Sequence, residues 1–115
     1  MTKIIIVDNN HVTGAFLKNA LEQETYRVTC VPDAPGALMV CRIWRPNLVM
    51  VRHTCRGRCG WTIFNQLKQM NSRMPLMLYL LDSTYLAGAN WVIRAVHEVL
   101  ACKRIISRSV HSGSR

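Results

Sequence analysis

Four consecutive apolar residues, Leu48-Val49-Met50-Val51, end abruptly on a cation, Arg52. A β-strand sends alternate side chains to opposite faces. One that is apolar at every position must be covered on both faces, as an inner strand of a parallel sheet is by its flanking helices. Ile4-Ile5-Ile6-Val7 repeats the pattern ahead of Asp8, and Leu76 to Leu81 repeats it after Pro75. Three such runs restrict the chain to a layered α/β fold. In open sheets of this kind, ligands and chemistry sit just past the carboxyl ends of the strands. Asp8 and Arg52 are the first residues to reach that edge.

The segments between the runs read mostly as helices. Asp8-Asn9-Asn10 is a helix-start signal. Over His11 to Gln23, Val12, Phe16, Leu17, Ala20 and Leu21 recur at helical spacing and predict a buried stripe. Gly14 weakens that helix by roughly 1 kcal/mol relative to Ala. Tyr26 to Val31 alternates as an edge strand does. Pro32-Asp33-Ala34-Pro35 opens a second helix reaching Trp44, with Asp33 as a cap and Pro35 in the first turn. Pro46 ends it. Trp61 to Met70 forms a third helix that turns Ile63, Phe64 and Leu67 inward. Trp91-Val92-Ile93 reads as a last strand and Ala95 to Ile106 as a last helix. Only Leu81 to Asn90 separate the fourth strand from this fifth one. A crossover needs roughly 10–12 residues with its helix, so the fourth helix is expected to be short or missing. Right-handed crossovers turn this βα order, repeated five times, into a three-layer sandwich around a parallel five-stranded sheet. Residues 1–106 make up the domain and 107–115 a basic flexible tail.

Fifteen Lys and Arg against six Asp and Glu give a net charge of +9. That balance suits acidic partners, nucleic acid or plain solubility without choosing among them. An apolar content of 50% excludes a disordered chain. No apolar run approaches the roughly 18 residues of a membrane span. The first run is cut off by Asp8, too early for a signal peptide, so a cytoplasmic chain is expected. The cysteines, Cys30, Cys41, Cys55, Cys59 and Cys102, are odd in number and read as free thiols. His53, Cys55 and Cys59 lack the second pair that a zinc site needs, and neither metal nor cofactor is expected. With no Gly-rich phosphate loop, no G-x-S-x-G elbow and no Cys–His–acid set, the chain does not read as an enzyme.

Three motifs carry a resemblance. IIIVDNN (Ile4–Asn10), RPNLVMVR (Arg45–Arg52) and GANWVIRA (Gly88–Ala95) follow the order and spacing of VVDD, RPDLVLLD and GAxxYLxKP, and Gly60 falls on the glycine that ends the loop after the third strand. Over Lys3 to Ile106 the chain resembles the response regulator receiver domain. This is a flavodoxin-like fold with sheet order 2-1-3-4-5, and it implies a two-component, phosphorelay setting. Receivers hold Mg²⁺ with clustered carboxylates, one of which takes a phosphoryl group from a histidine kinase. On this alignment Asn9 replaces the second acid beside Asp8, and Arg52 replaces the phosphoacceptor aspartate. Leu80 replaces the hydroxyl residue of the fourth strand. Arg94 and Ala95 replace the lysine and proline of the fifth, and Trp91 takes the aromatic switch position.

The expectation is therefore a pseudo-receiver that signals through a protein partner without phosphorylation. Trp91, Tyr85 and Leu86 on a remodelled surface suit partner binding or a homodimer. Arg52 has two readings. It pairs with Asp8, or it joins Arg56, Arg58 and Arg94 in a basic surface that binds an anion or nucleic acid.

Overall fold

A computed structural model describes residues 1–55, 58–71, 73–81, 89–101 and 107–111; at 54–55, 58–59 and 107–111 it describes the backbone alone. The elements are β1 (Lys3–Val7), α1 (His11–Gln23), β2 (Arg27–Val31), α2 (Ala34–Trp44), β3 (Leu48–Arg52), a small hairpin of β4 (Thr54–Cys55) and β5 (Arg58–Cys59), α3 (Gly60–Met70), β6 (Leu76–Leu80), α4 (Ala89–Ala101) and β7 (Ser107–His111). The main sheet is parallel with order β2-β1-β3-β6-β7. Of its first four strands, β1, β3 and β6 are the three apolar runs and β2 is the alternating stretch that ends at Val31.

Local chemistry explains the boundaries. Asn10 caps α1, its Oδ1 accepting from the amides of Val12 and Thr13 at 2.9 and 3.2 Å. Asp33 caps α2 by accepting from Gly36 N–H at 3.0 Å, and a proline sits in the first turn. Arg45 ends α2 in the left-handed region, at φ 51°, and its N–H reaches back to the Cys41 carbonyl at 3.1 Å.

Two cores lie on opposite faces of the sheet. Ile5, Val7, Val49, Val51, Leu76 and Leu78 meet α2 and α3 on one face. Ile4, Ile6, Met50, Met77 and Tyr79 meet α1 on the other. The alternation along each strand is what fills both layers.

Several expectations need correction. Val12 and Phe16 are exposed, at 54% and 40%. The buried face of α1 runs through Thr13, Gly14, Leu17 and Leu21, because Thr13 is drawn inward by hydrogen bonds to Asp8 and Arg52. The segment expected to hold a short or missing fourth helix falls at 82–88, outside the described residues; α4, with 13 residues, takes in instead the stretch read as last strand and last helix. Trp91-Val92-Ile93 lies inside it and forms no strand. Fused with the segment that follows, those three residues supply a helical stripe, Val92, Ala95, Val96 and Val99. The strand beside β6 is instead Ser107–His111, from the stretch expected to be tail.

Helix α4 also chooses an unusual side. The step from β1 to β2 runs toward one edge, and every later step runs toward the other. Right-handed crossovers then put α1 on one face and α2 and α3 on the other, as observed. The same rule would seat α4 beside α3. Its buried residues join Leu17 and Leu21 of α1. The β6–α4–β7 connection is thus left-handed, a form found in roughly one such unit in fifty. The apolar stripe of α4 completes the cover over Ile4, Ile6, Met77 and Tyr79 that α1 begins.

Candidate functional site

The carboxyl ends of β1, β3 and β6 converge on one carboxylate. Asp8 follows β1 directly, and its side chain is fully buried. Its Oδ1 accepts from the Asn10 amide at 2.8 Å and faces Arg52 Nη1 at 3.4 Å. Its Oδ2 accepts from the Thr13 hydroxyl at 2.7 Å and from the Tyr79 hydroxyl at 2.5 Å. Arg52 Nη1 also donates to Thr13 Oγ1 at 2.6 Å, so Thr13 relays between cation and anion. A carboxylate offers about four lone-pair positions. Here those positions meet a backbone amide, two hydroxyls and a guanidinium, all from the chain itself.

Each participant is placed by a regular element. Arg52 is the last residue of β3 and is registered against Tyr79 of β6. Thr13 sits in the first turn of α1, oriented by the Asn10 cap. Gly14 follows it, and a Cβ there would lie 3.8 Å from Asp8 Cβ, in ordinary contact. Behind Arg52 the chain doubles back through the β4–β5 hairpin, in which Thr54 pairs with Cys59. Gly60 closes it, its N–H 2.5 Å from the His53 carbonyl. A Cβ at Gly60 would stand 2.3 Å from the Arg52 carbonyl oxygen, so only glycine lets helix α3 start there.

Electrostatics follow the geometry. Burial pushes the Tyr79 hydroxyl well above its usual 10.0; the Asp8 charge and hydrogen bond push it the same way, against a smaller opposing pull from Arg52. Tyr79 is therefore a neutral donor. Cys30, whose thiol lies 3.5 Å from the Gly14 carbonyl, is pushed up to about 11, chiefly by burial.

Of the residues singled out by sequence, Asp8 and Arg52 come together. Asn9 is half-buried beside them, and Leu80 ends β6 with 39% exposure. Arg94 and Trp91 are not at a strand end. Both belong to α4, where the Arg94 guanidinium lies 5.6 Å from the Trp91 ring centroid, and Trp91 is 53% exposed. From Ala89 onward the motif is helical, and the strand-end roles implied for Trp91 and Arg94 fall away. Arg56, Tyr85 and Leu86, and the side chains of Arg58, Cys55 and Cys59, lie outside what is described. Thr13 and Tyr79 are site residues that the sequence reading missed. A phenol inside an otherwise apolar strand is a signal of a kind, since its buried hydroxyl requires a partner. Among the described residues no group of three or more His, Cys, Asp or Glu side chains gathers as a metal site would.

Comparison with known proteins agrees with the fold. No family model and no curated protein matches the sequence. Solved structures do match. The BeF3-activated N-terminal receiver domain of RstA from Klebsiella pneumoniae superposes with a TM-score of 0.67 at 19% identity, covering 99% of this chain and 88% of that one. The response regulator TrrA of Thermotoga maritima, in complex with Mg²⁺-BeF, gives 0.69 at 19%, covering 99% and 90%. The non-phosphorylated HemR receiver domain of Leptospira biflexa gives 0.68 at 19%, covering 100% and 85%. The chain has the fold of response regulator receiver domains.

Proposed function

We propose that this chain is a receiver-fold signal-transduction module that acts on a protein partner without being phosphorylated. One observation carries the reading: the Asp8 carboxylate is saturated by donors from its own chain, Arg52 among them. On the RPNLVMVR motif, Arg52 stands where receivers keep the aspartate that accepts the phosphoryl group. A guanidinium has no oxygen with which to accept it.

The Mg²⁺ that receivers employ does not suit these residues either. That ion demands near-octahedral oxygen ligation. Asp8 has its lone pairs engaged, and Arg52, 3.4 Å away, repels a cation. Leu80 brings no hydroxyl to the edge. What the arrangement does instead is tie three strand ends together with an internal ion pair. The output then rests on surface recognition, for which exposed Trp91 under Arg94 is one available contact.

Acetyl phosphate with MgCl₂, followed by intact-mass spectrometry, tests this directly. The expected spectrum shows unmodified protein. A stoichiometric phosphoryl adduct, or Mg²⁺-dependent amide shifts at Asp8 and Arg52, would defeat the proposal.

A further inference from the structure

A second cluster of cations occupies the opposite edge of the sheet. Helices α2 and α3 both end there, and a cleft of about 450 Å³ opens between them. Arg42, Arg45 and Arg73 line it, over a floor that includes Met70, Met74 and Pro75. The arginines are held by unrelated local devices. Arg42 lies in the last turn of α2, and Arg45 is its left-handed cap. Arg73 sits in a turn that is fixed by its own N–H donating to Asn71 Oδ1 at 3.0 Å.

The simplest role for basic residues at helix carboxyl ends is to offset the macrodipole. Each terminus carries roughly half a negative charge, so two account for about one arginine. About two positive charges remain. Among the described residues no carboxylate lines the cleft, and the ion pairs engage Lys18, Arg52 and His97, none of these three arginines. Guanidinium forks match phosphate oxygens two at a time. The volume falls within the roughly 300–1,000 Å³ usual for small-molecule sites, and thioether and proline walls accept an apolar or planar body.

We propose that this cleft binds a small organic anion bearing two or more phosphates, of the nucleoside diphosphate class. It is separate from the Asp8–Arg52 pair and stands or falls independently of the reading given above.

Titration calorimetry in low-salt buffer, with ADP and pyrophosphate as probes, tests it. The expected result is one saturable site for ADP, tighter than for pyrophosphate and weakened by added salt. Arg73→Gln and Arg45→Gly should each weaken ADP binding by about tenfold, the loss of one charge-assisted contact. Arg45→Gly is the decisive variant. Glycine adopts the left-handed cap without strain, so its thermal melt should equal or exceed that of the parent and loss of binding cannot be loss of fold. Arg27→Gln, on β2 and outside the cleft, should bind as the parent does. Absence of saturable ADP binding, full affinity in Arg45→Gly and Arg73→Gln, or pyrophosphate binding as tightly as ADP would each overturn the assignment.

Discussion

At the scale of single residues, the buried Asp8 carboxylate decides which substitutions hurt. Tyr79→Phe removes one neutral donor and leaves the others, a cost of about 1–3 kcal/mol. Arg52→Met should cost more, about 3 kcal/mol, because it strands a buried charge whose side chain is 0% exposed. Neutralising the stranded partner as well, in Asp8→Asn/Arg52→Met, should recover part of that loss. Urea unfolding of the single and double variants reads this out, and strict additivity would contradict the pairing. The Asp8–Arg52 contact was legible in the sequence because two inner strands deliver their next residues to one edge. Thr13 and Tyr79 were not. A threonine within a helical stripe and a tyrosine within an apolar run look like packing, and only three-dimensional proximity shows that their hydroxyls serve a carboxylate.

At the scale of elements, two glycines make opposite demands. A methyl at Gly14 meets Asp8 and Cys30 no closer than 3.8 Å, so Gly14→Ala should stabilise α1 by roughly 0.5–1 kcal/mol. A methyl at Gly60 collides with the Arg52 and His53 carbonyl oxygens at 2.3 and 2.7 Å. Gly60→Ala should therefore cost about 2 kcal/mol or more, since backbone must move. Thermal melts of the two variants should shift in opposite directions, and shifts of the same sign would refute the packing described. Helices α1 to α3 were readable from caps, prolines and apolar spacing. Helix α4 was misread because a run as short as Trp91-Val92-Ile93 fits a buried strand and a buried helix equally well. The continuation through Ala95, Val96 and Val99 settles it, and it does so by packing on the α1 side of the sheet.

At the scale of the molecule, two firmly held protons set the response to alkali. Cys30 holds its proton up to about 11 instead of 9.0, and Tyr79 well beyond 10.0. Groups that bind protons more tightly when folded contribute stability that is complete below their unfolded pKa. It is lost as the pH climbs through the folded value. Unfolding free energy should thus be level between pH 7 and 8 on this account and fall from about pH 9 upward. Urea titrations across that range check it, and a rise above pH 9 would contradict the burial of the Tyr79 hydroxyl. Beyond alkali, the meeting of Asp8 with Tyr79, Thr13 and Arg52 governs how the sheet comes apart. Like a rivet through three planks, it forbids β1, β3 and β6 from opening one at a time. Amide deuteration of Ile4–Val7, Val49–Val51 and Met77–Tyr79 should proceed through a single shared opening, and Arg52→Met should split that event into separate local ones.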